Sequence, residues 1–432
     1  MHAQFIRFLA PLILAMVAQE LSVQFLNGGM ARMPQAVETL AAFGLAYGLV
    51  ILITGPLHQS RQLGLAMIDN LTQLHTGTRT IITIGLGMSL ITAMLGLPGP
   101  GRWIVEDLHG IDADLADQAQ AALRWLVPLP LVDGMARYCS GLLARARRTD
   151  IVSASGLAGI VVRITAVFAL LDMEFVASQP ILLPVAVTAL GSMTECLVLV
   201  AGHLRFSRPS LPEAGPPVTV TAIIAFLWPL AVIMLFQGAS RPLINLVVSR
   251  GSDATQSLAV LTIVYALGHI HYGWTNEIRS LAPAFRDEKG HLFHIRRFAV
   301  ACCAISFALA LVLFWTPIRG YLLLDLIGVE PGLAELCVVP LMIFSFFPFA
   351  VTLRSYYHGV GLMHRVTDVM AWSGPCRLIA IVAVLAMLSL TGLAGATIGV
   401  AALLCGFIAE TAAVAWSVRR RVRIRDSGCV PG

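Results

Sequence analysis

Two stretches decide the fold: FLAPLILAMVAQELSVQFLNGGMAR, residues 8–32, and FLWPLAVIMLFQGASRPLINLVVSR, residues 226–250. Laid over one another at an offset of 218 residues, they share Phe8/Phe226, Pro11/Pro229, Met16/Met234, Gln19/Gln237, Ser22/Ser240, Asn27/Asn245 and Arg32/Arg250. The register runs on without a gap, so that Leu40, Tyr47, Gly55, Arg61 and Leu63 meet Leu258, Tyr265, Gly273, Arg279 and Leu281. It returns at Arg147, Thr149, Asp150, Ser155 and Gly156, which meet Arg365, Thr367, Asp368, Ser373 and Gly374. Chance matching of apolar residues does not place Gln, Asn, Arg and Asp in register. The chain is a duplication.

Both copies are built for a bilayer. The 432 residues are 57% hydrophobic and 12% charged, where soluble domains average about 45–50% and about 25%. A helix needs about 20 apolar residues to cross roughly 30 Å of hydrocarbon. Apolar runs of that length predict spans near 5–26, 38–57, 79–97, 119–144, 151–171, 180–203, 219–248, 256–278, 298–317, 333–356, 367–390 and 395–418. The fold class expected is therefore an all-α polytopic membrane protein, with twelve transmembrane helices in two six-helix bundles. Six is even, so both copies enter from the same side and the repeat is parallel, the arrangement of an alternating-access transporter. The domain reading is an N-terminal bundle over 1–204, a Pro-rich cytoplasmic linker over 205–218, a C-terminal bundle over 219–418 and a short basic tail over 419–432. Such a chain leaves no room for a soluble catalytic domain or a nucleic-acid module, although the formal charge is +5.

Charge placement sets the orientation. With the N-terminus inside, nineteen Lys and Arg fall on inner segments and five on outer ones; the positive-inside bias then puts both termini in the cytoplasm. Gln19, Glu20 and Gln24 interrupt the first apolar run and no small-residue cleavage site follows, so it reads as a span rather than a secretory signal. The cysteines lie mostly in apolar runs without metal spacing. No cofactor, metal or nucleic acid is expected.

Charges inside spans are costly, about 2.5–3.5 kcal/mol each on insertion scales, and so mark cavities or partners. Arg137, Arg163, Arg241, Arg354 and Arg377 lie within predicted spans, as do Glu20, Asp133, Glu195 and Glu410, with Glu277 at an inner end. Asp133 and Arg137 are four apart on one face, the spacing of an internal ion pair. Glu195 and Glu410 occupy similar places in the sixth and twelfth spans, each placed to neutralise an Arg of a neighbouring helix. Arg241 stands apart because Pro242 follows it, and because Gln237 and Asn245 flank it on the same helical face. A proline frees a carbonyl, which is tolerated where backbone lines a cavity. Gln24 and Asn27 extend the matching stripe on the first span. His269 and His271, about 200° apart round a helix, cannot share one metal; one of them lines the cleft on this reading and the other packs.

P-loop, HExxH and GxSxG patterns are absent, so neither an ATP-driven pump nor a membrane hydrolase is expected. Guanidinium groups hold carboxylate or phosphate through two parallel hydrogen bonds, and the spans contain Arg but no Lys. The ligand expected is an anion.

Several strings bear a specific resemblance: LNGGMAR (26–32), TGP (54–56), SRPLINLVVSR (240–250), GHIHYGWTNEIR (268–279), FWTP (314–317) and AELCVVPLMIFSFFP (334–348). They resemble the progressive ankylosis protein family over residues 5–418. That resemblance implies a MATE-like fold of two pseudo-symmetric lobes and export of pyrophosphate, ATP or other nucleoside triphosphates, and citrate or related carboxylates. Gln24, Asn27, Asp133, Arg241, Asn245, Glu277, Arg279, Arg354, Arg377 and Glu410 agree with family residues, and Glu20 stands where an acid is usual. Arg137, Arg163, His269 and Glu195 depart from it, and the acidic cytoplasmic tail of animal members is replaced by a basic end.

The expectation is thus a gradient-driven exporter, not an enzyme, monomeric in a bacterial inner membrane. Its substrate ligands would be Arg241, Arg354, Arg377, Asn245, Gln237, Asn27, Gln24 and His271, with Glu20, Asp133, Glu277 and Glu410 serving in coupling or ion pairing. The rivals are a flippase for a phosphorylated lipid, which would open sideways to lipid, and a membrane scaffold, which would move nothing.

Overall fold

The computed structural model describes residues 1–30, 35–109, 111–171, 173–251 and 253–426. All regular secondary structure among them is helical. Two compact units result, one of residues 3–227 and one of residues 228–432 with Met1 and His2. The first half of the chain runs through α1 (His2–Met30), α2 (Ala36–Thr54), α3 (Leu71–Leu95), α4 (Ala113–Trp125), α5 (Leu129–Arg145), α6 (Thr149–Leu170) and α7 (Leu182–Gly202). The second half runs through α8 (Val220–Val248), α9 (Ala254–Ile270), α10 (His291–Trp315), α11 (Pro331–Phe344), α12 (Phe347–Met363), α13 (Ser373–Leu388) and α14 (Gly395–Asp426).

Helices form because hydrocarbon offers the backbone no hydrogen bonds, and only a helix satisfies its own. Nine segments among the described residues are long and apolar enough to cross a membrane. Their outward faces carry Leu52, Leu90, Leu197, Ile379 and Met387, all more than 60% exposed, a surface suited to lipid rather than water.

The duplication persists at the level of irregularities. α2 and α9 start 218 residues apart, and each runs into a 3₁₀ turn, Gly55–Gln59 and Gly273–Ser280, at the same offset. The π turns Trp103–Asp107 and Tyr321–Leu326 correspond in the same way, as do α5 and α12. Both α5 and α12 end with an arginine in the left-handed region, Arg147 and Arg365, each at φ 57°. There Arg148 N donates to Leu143 O at 2.8 Å and Val366 N to Gly361 O at 3.0 Å, the six-to-one closure of a Schellman cap. In each unit one glycine lets two backbones touch. A Cβ on Gly141 would collide with the Arg61 carbonyl, and one on Gly359 with the Arg279 carbonyl at 2.8 Å. Arg61 and Arg279, partners in the repeat, are thus held at these crossings, half-buried.

Several spans differ from their expected form. The run expected over 119–144 is two helices, α4 and α5, parted at 126–128, where Pro128 and Pro130 supply no N–H to a continuing ladder. The run expected over 333–356 divides likewise into α11 and α12, with Pro348 in the first turn of α12. α3 starts at Leu71 rather than near 79, because Asn70 caps it: its side chain accepts from Gln73 N at 2.9 Å. The polar first turns hid that start from hydropathy. Residues of the Pro-rich stretch are tied to the same cap. Leu71 N donates to Pro212 O at 3.0 Å, and Gln73 Nε2 to Pro216 O at 2.8 Å.

Candidate functional site

Within the 228–432 unit, four helices and one 3₁₀ turn bring ionic groups to one point. α14 supplies Glu410, fully buried, α12 supplies Arg354 and α13 supplies Arg377. Arg354 Nη1 donates to Glu410 Oε2 at 3.0 Å and Arg377 Nη1 to the same oxygen at 2.8 Å. Gln237 Nε2, from α8, donates to Oε1 at 2.5 Å. Both guanidiniums have further acceptors: Arg354 Nη2 bonds Asn276 Oδ1 at 2.7 Å, and Arg377 Nε bonds Ser240 Oγ at 2.8 Å. Their planes meet Phe407, with ring-centroid distances of 4.9 Å for Arg354 and 3.9 Å for Arg377. Burying charges is costly unless hydrogen bonds replace water, and here the carboxylate has three donors.

Arg241 lies beside this cluster but outside its bonds. It is exposed, lies 4.7 Å from the centroid of Tyr265 and has no carboxylate within ion-pair distance among the described residues. Pro242 sits inside α8 and cannot donate to the carbonyl four residues before it, at Gly238. Asn245 Oδ1, one turn on, is buried without a hydrogen-bond partner among the described residues. Three guanidiniums thus stand against the single carboxylate of Glu410. The group as a whole is positive, and its one exposed cation adjoins the proline at which the α8 ladder lacks a donor.

A second polar centre lies wholly within the 3–227 unit. Asp133, Arg137, Arg163, Ser192 and Glu195 line a cavity of about 170 Å³ together with Tyr47 and His58. Arg163 reaches Glu195 at 3.9 Å and Ser192 Oγ at 3.4 Å.

A further hollow of about 430 Å³ near the ends of α8 and α13 has Asp253 as its one charged lining residue, and does not suit an anion.

The family model of the progressive ankylosis protein matches residues 2–316 of this chain. The chain belongs to the progressive ankylosis protein family. Its fold is that of MATE transporters. A crystal structure of MATE in the bent conformation aligns at TM-score 0.78 and 14% identity, covering 99% of this chain and 97% of the other. A MATE transporter of Vibrio cholerae aligns at TM-score 0.75 and 16% identity over 98% and 97%. A MOP superfamily transporter from Pyrococcus furiosus, whose binding pocket has a reverse polarity that suggests a different function, aligns at TM-score 0.70 and 14% identity over 98% and 96%. This progressive ankylosis family member is therefore an integral membrane protein with a two-bundle transporter fold.

Measured against the expected site of this family member, the structure gathers Gln237, Arg354, Arg377 and Glu410 directly, and Arg241 and Asn245 follow Gln237 at one and two turns along α8. Glu277 is half-buried in the 3₁₀ turn that supplies Asn276. The side chains of Glu20, Gln24 and Asn27 lie outside the described residues. His271 is not a cleft residue: it is fully buried, its Nε2 lies 3.1 Å from Phe344 O, and its ring meets Phe314 edge-on at 5.3 Å. α9 ends at Ile270, and the turn that follows directs His271 into the aromatic core. Asp133 and Arg137 do not form the internal pair that their spacing suggested. Both face the cavity, and no guanidinium lies within ion-pair distance of Asp133 among the described residues. Glu195 and Glu410 do each meet arginines from neighbouring helices. Ser240, Asn276 and Phe407 were not among the site residues expected from the sequence. Ser240 stands one residue before Arg241 and was discoverable there, while an apolar-span phenylalanine such as Phe407 gives no signal of a cation above its face.

Proposed function

We propose that this protein is a gradient-driven, alternating-access exporter of small multivalent anions, of the class that includes pyrophosphate, nucleoside triphosphates and citrate. The observation that carries the reading is the charge imbalance of Arg241, Arg354 and Arg377 against Glu410. A site for organic cations would be built the other way, with carboxylates in excess. Arg241 is the first ligand on this reading, with Asn245 beside it. Arg354 and Arg377, both held by Glu410 and further by Asn276 and Ser240 respectively, supply positive potential in a low-dielectric setting where it is weakly screened.

Export needs no coupled ion. Each charge moved across 100 mV is worth about 2.3 kcal/mol, so a trivalent anion leaving a negative interior gains about 7 kcal/mol. The orientation proposed has both termini in the cytoplasm, with 205–218 as the linker between lobes, and the membrane proposed is a bacterial inner membrane. The test is counterflow of labelled citrate, pyrophosphate and ATP into proteoliposomes. Wild type is expected to accumulate at least one of them and Arg241→Ala to lose most of that uptake. Equal uptake by both proteins would remove the site, and no uptake of any of the three would favour the flippase or the scaffold.

A further inference from the structure

The cavity of the 3–227 unit is not used by this reading, and its chemistry is specific. α5 places Asp133 and Arg137 one helical turn apart, α6 brings Arg163, and α7 brings Ser192 and Glu195. Gly191 makes room for Arg163: a Cβ there would strike the arginine's own Cγ and Nε. An ion-pair network that satisfied itself would close its charges on one another. Here Arg137 has no carboxylate within ion-pair distance among the described residues, and Arg163 only just reaches Glu195, at 3.9 Å. Two guanidiniums and two carboxylates instead face a common space of about 170 Å³.

The occupant of such a space must offer acceptors and a donor at once. A bare cation meets two arginines, and an anion without a proton meets two carboxylates. An oxyanion that carries its own hydroxyl meets neither objection, because its free oxygens accept from Arg137 and Arg163 while its O–H donates to Asp133 or Glu195. Size narrows the class, since drug-sized ligands need roughly 300 Å³ or more. A single tetrahedral ion with a few waters fits, whereas a nucleotide does not. We propose that this cavity is a binding site for hydrogen-bearing oxyanions, inorganic phosphate above all, selected against sulfate by Asp133 and Glu195. It lies in the other unit from Arg241, so it stands or falls separately from the export site.

The experiment is equilibrium dialysis of labelled orthophosphate at neutral pH against the full-length protein in nanodiscs, with sulfate present in tenfold excess. The wild type is expected to keep one saturable, sulfate-resistant phosphate site. Arg137→Gln should weaken that site at least tenfold. Asp133→Asn should let sulfate compete, narrowing the preference for phosphate by tenfold or more, a change of selectivity that a merely structural residue would not produce. If sulfate displaces phosphate from the wild type as well as phosphate itself does, or if no saturable phosphate binds, the proposal is overturned without recourse to a variant. Arg137→Gln protein with unaltered binding would overturn it equally.

Discussion

Glu410 is where the C-terminal unit concentrates its electrostatic risk. It is fully buried and accepts from Arg354, Arg377 and Gln237. Removing its charge would leave two buried guanidiniums without a counterion, a class of change that costs about 3–5 kcal/mol. Glu410→Gln is therefore expected to lower the thermal midpoint of the purified protein in detergent more than Arg377→Gln does, because the latter leaves Glu410 still held by Arg354. Equal losses would mean that the carboxylate is not the hub of the cluster. Arg241 behaves oppositely. It is exposed, without an ion partner among the described residues, and its replacement by Ala should change stability little, within about 0.5 kcal/mol as for ordinary surface positions, while removing anion uptake. That separation of stability from transport distinguishes a ligand from a structural cation, and both quantities can be read on one preparation.

Single elements owe their shapes to a few residues at their irregular points. Pro242 interrupts the ladder of α8 between Arg241 and Asn245, and a proline inside a helix costs about 3 kcal/mol relative to an ordinary residue. Pro242→Ala is expected to raise stability, since it restores a donor to the Gly238 carbonyl, and to slow transport by stiffening the turn of α8 that presents Arg241. A variant that is both more stable and as fast as wild type would show that the break has no part in the site. The glycine crossings make a matched pair of predictions. Gly141 and Gly359 occupy the same place in the two repeats, each against a backbone carbonyl that cannot swing aside. Overpacking of this kind costs about 1–3 kcal/mol. Gly141→Ala and Gly359→Ala should each lower the thermal midpoint, with Gly141→Ala the more severe because its contact is the closer.

At the scale of the whole molecule, the duplication was legible because it leaves polar residues in register, and polar residues inside apolar runs are few enough to be informative. The repeat reaches beyond the apolar runs, since the 3₁₀ turns after α2 and α9 and the caps at Arg147 and Arg365 recur at its offset. Breaks inside spans were less legible, because hydropathy averages over a window and does not see that Pro128, Pro130 or Pro348 ends a hydrogen-bond ladder. The site divided along the same line. Arg354, Arg377 and Glu410 announced themselves as charges where none is cheap, whereas their pairing through a single oxygen depends on three helices distant in sequence. His271 was misread for the same reason, because a turn sets its direction. The transporter fold, two bundles with a positive group in one of them, leads to an electrical prediction. If a multivalent anion crosses without a compensating ion, each 100 mV of inside-negative potential adds about 2.3 kcal/mol per charge to the driving force for efflux. Citrate-loaded proteoliposomes clamped with valinomycin and a potassium gradient should then release citrate faster, and to a lower residual content, as the interior is made more negative. Pyrophosphate should respond in proportion to the charge of its transported form. Efflux indifferent to the clamp would mean that charge is balanced within the cycle, by exchange or by a co-transported cation, and the acids within the helices of the two units, Asp133 and Glu410 among them, would become the residues to test for that coupling.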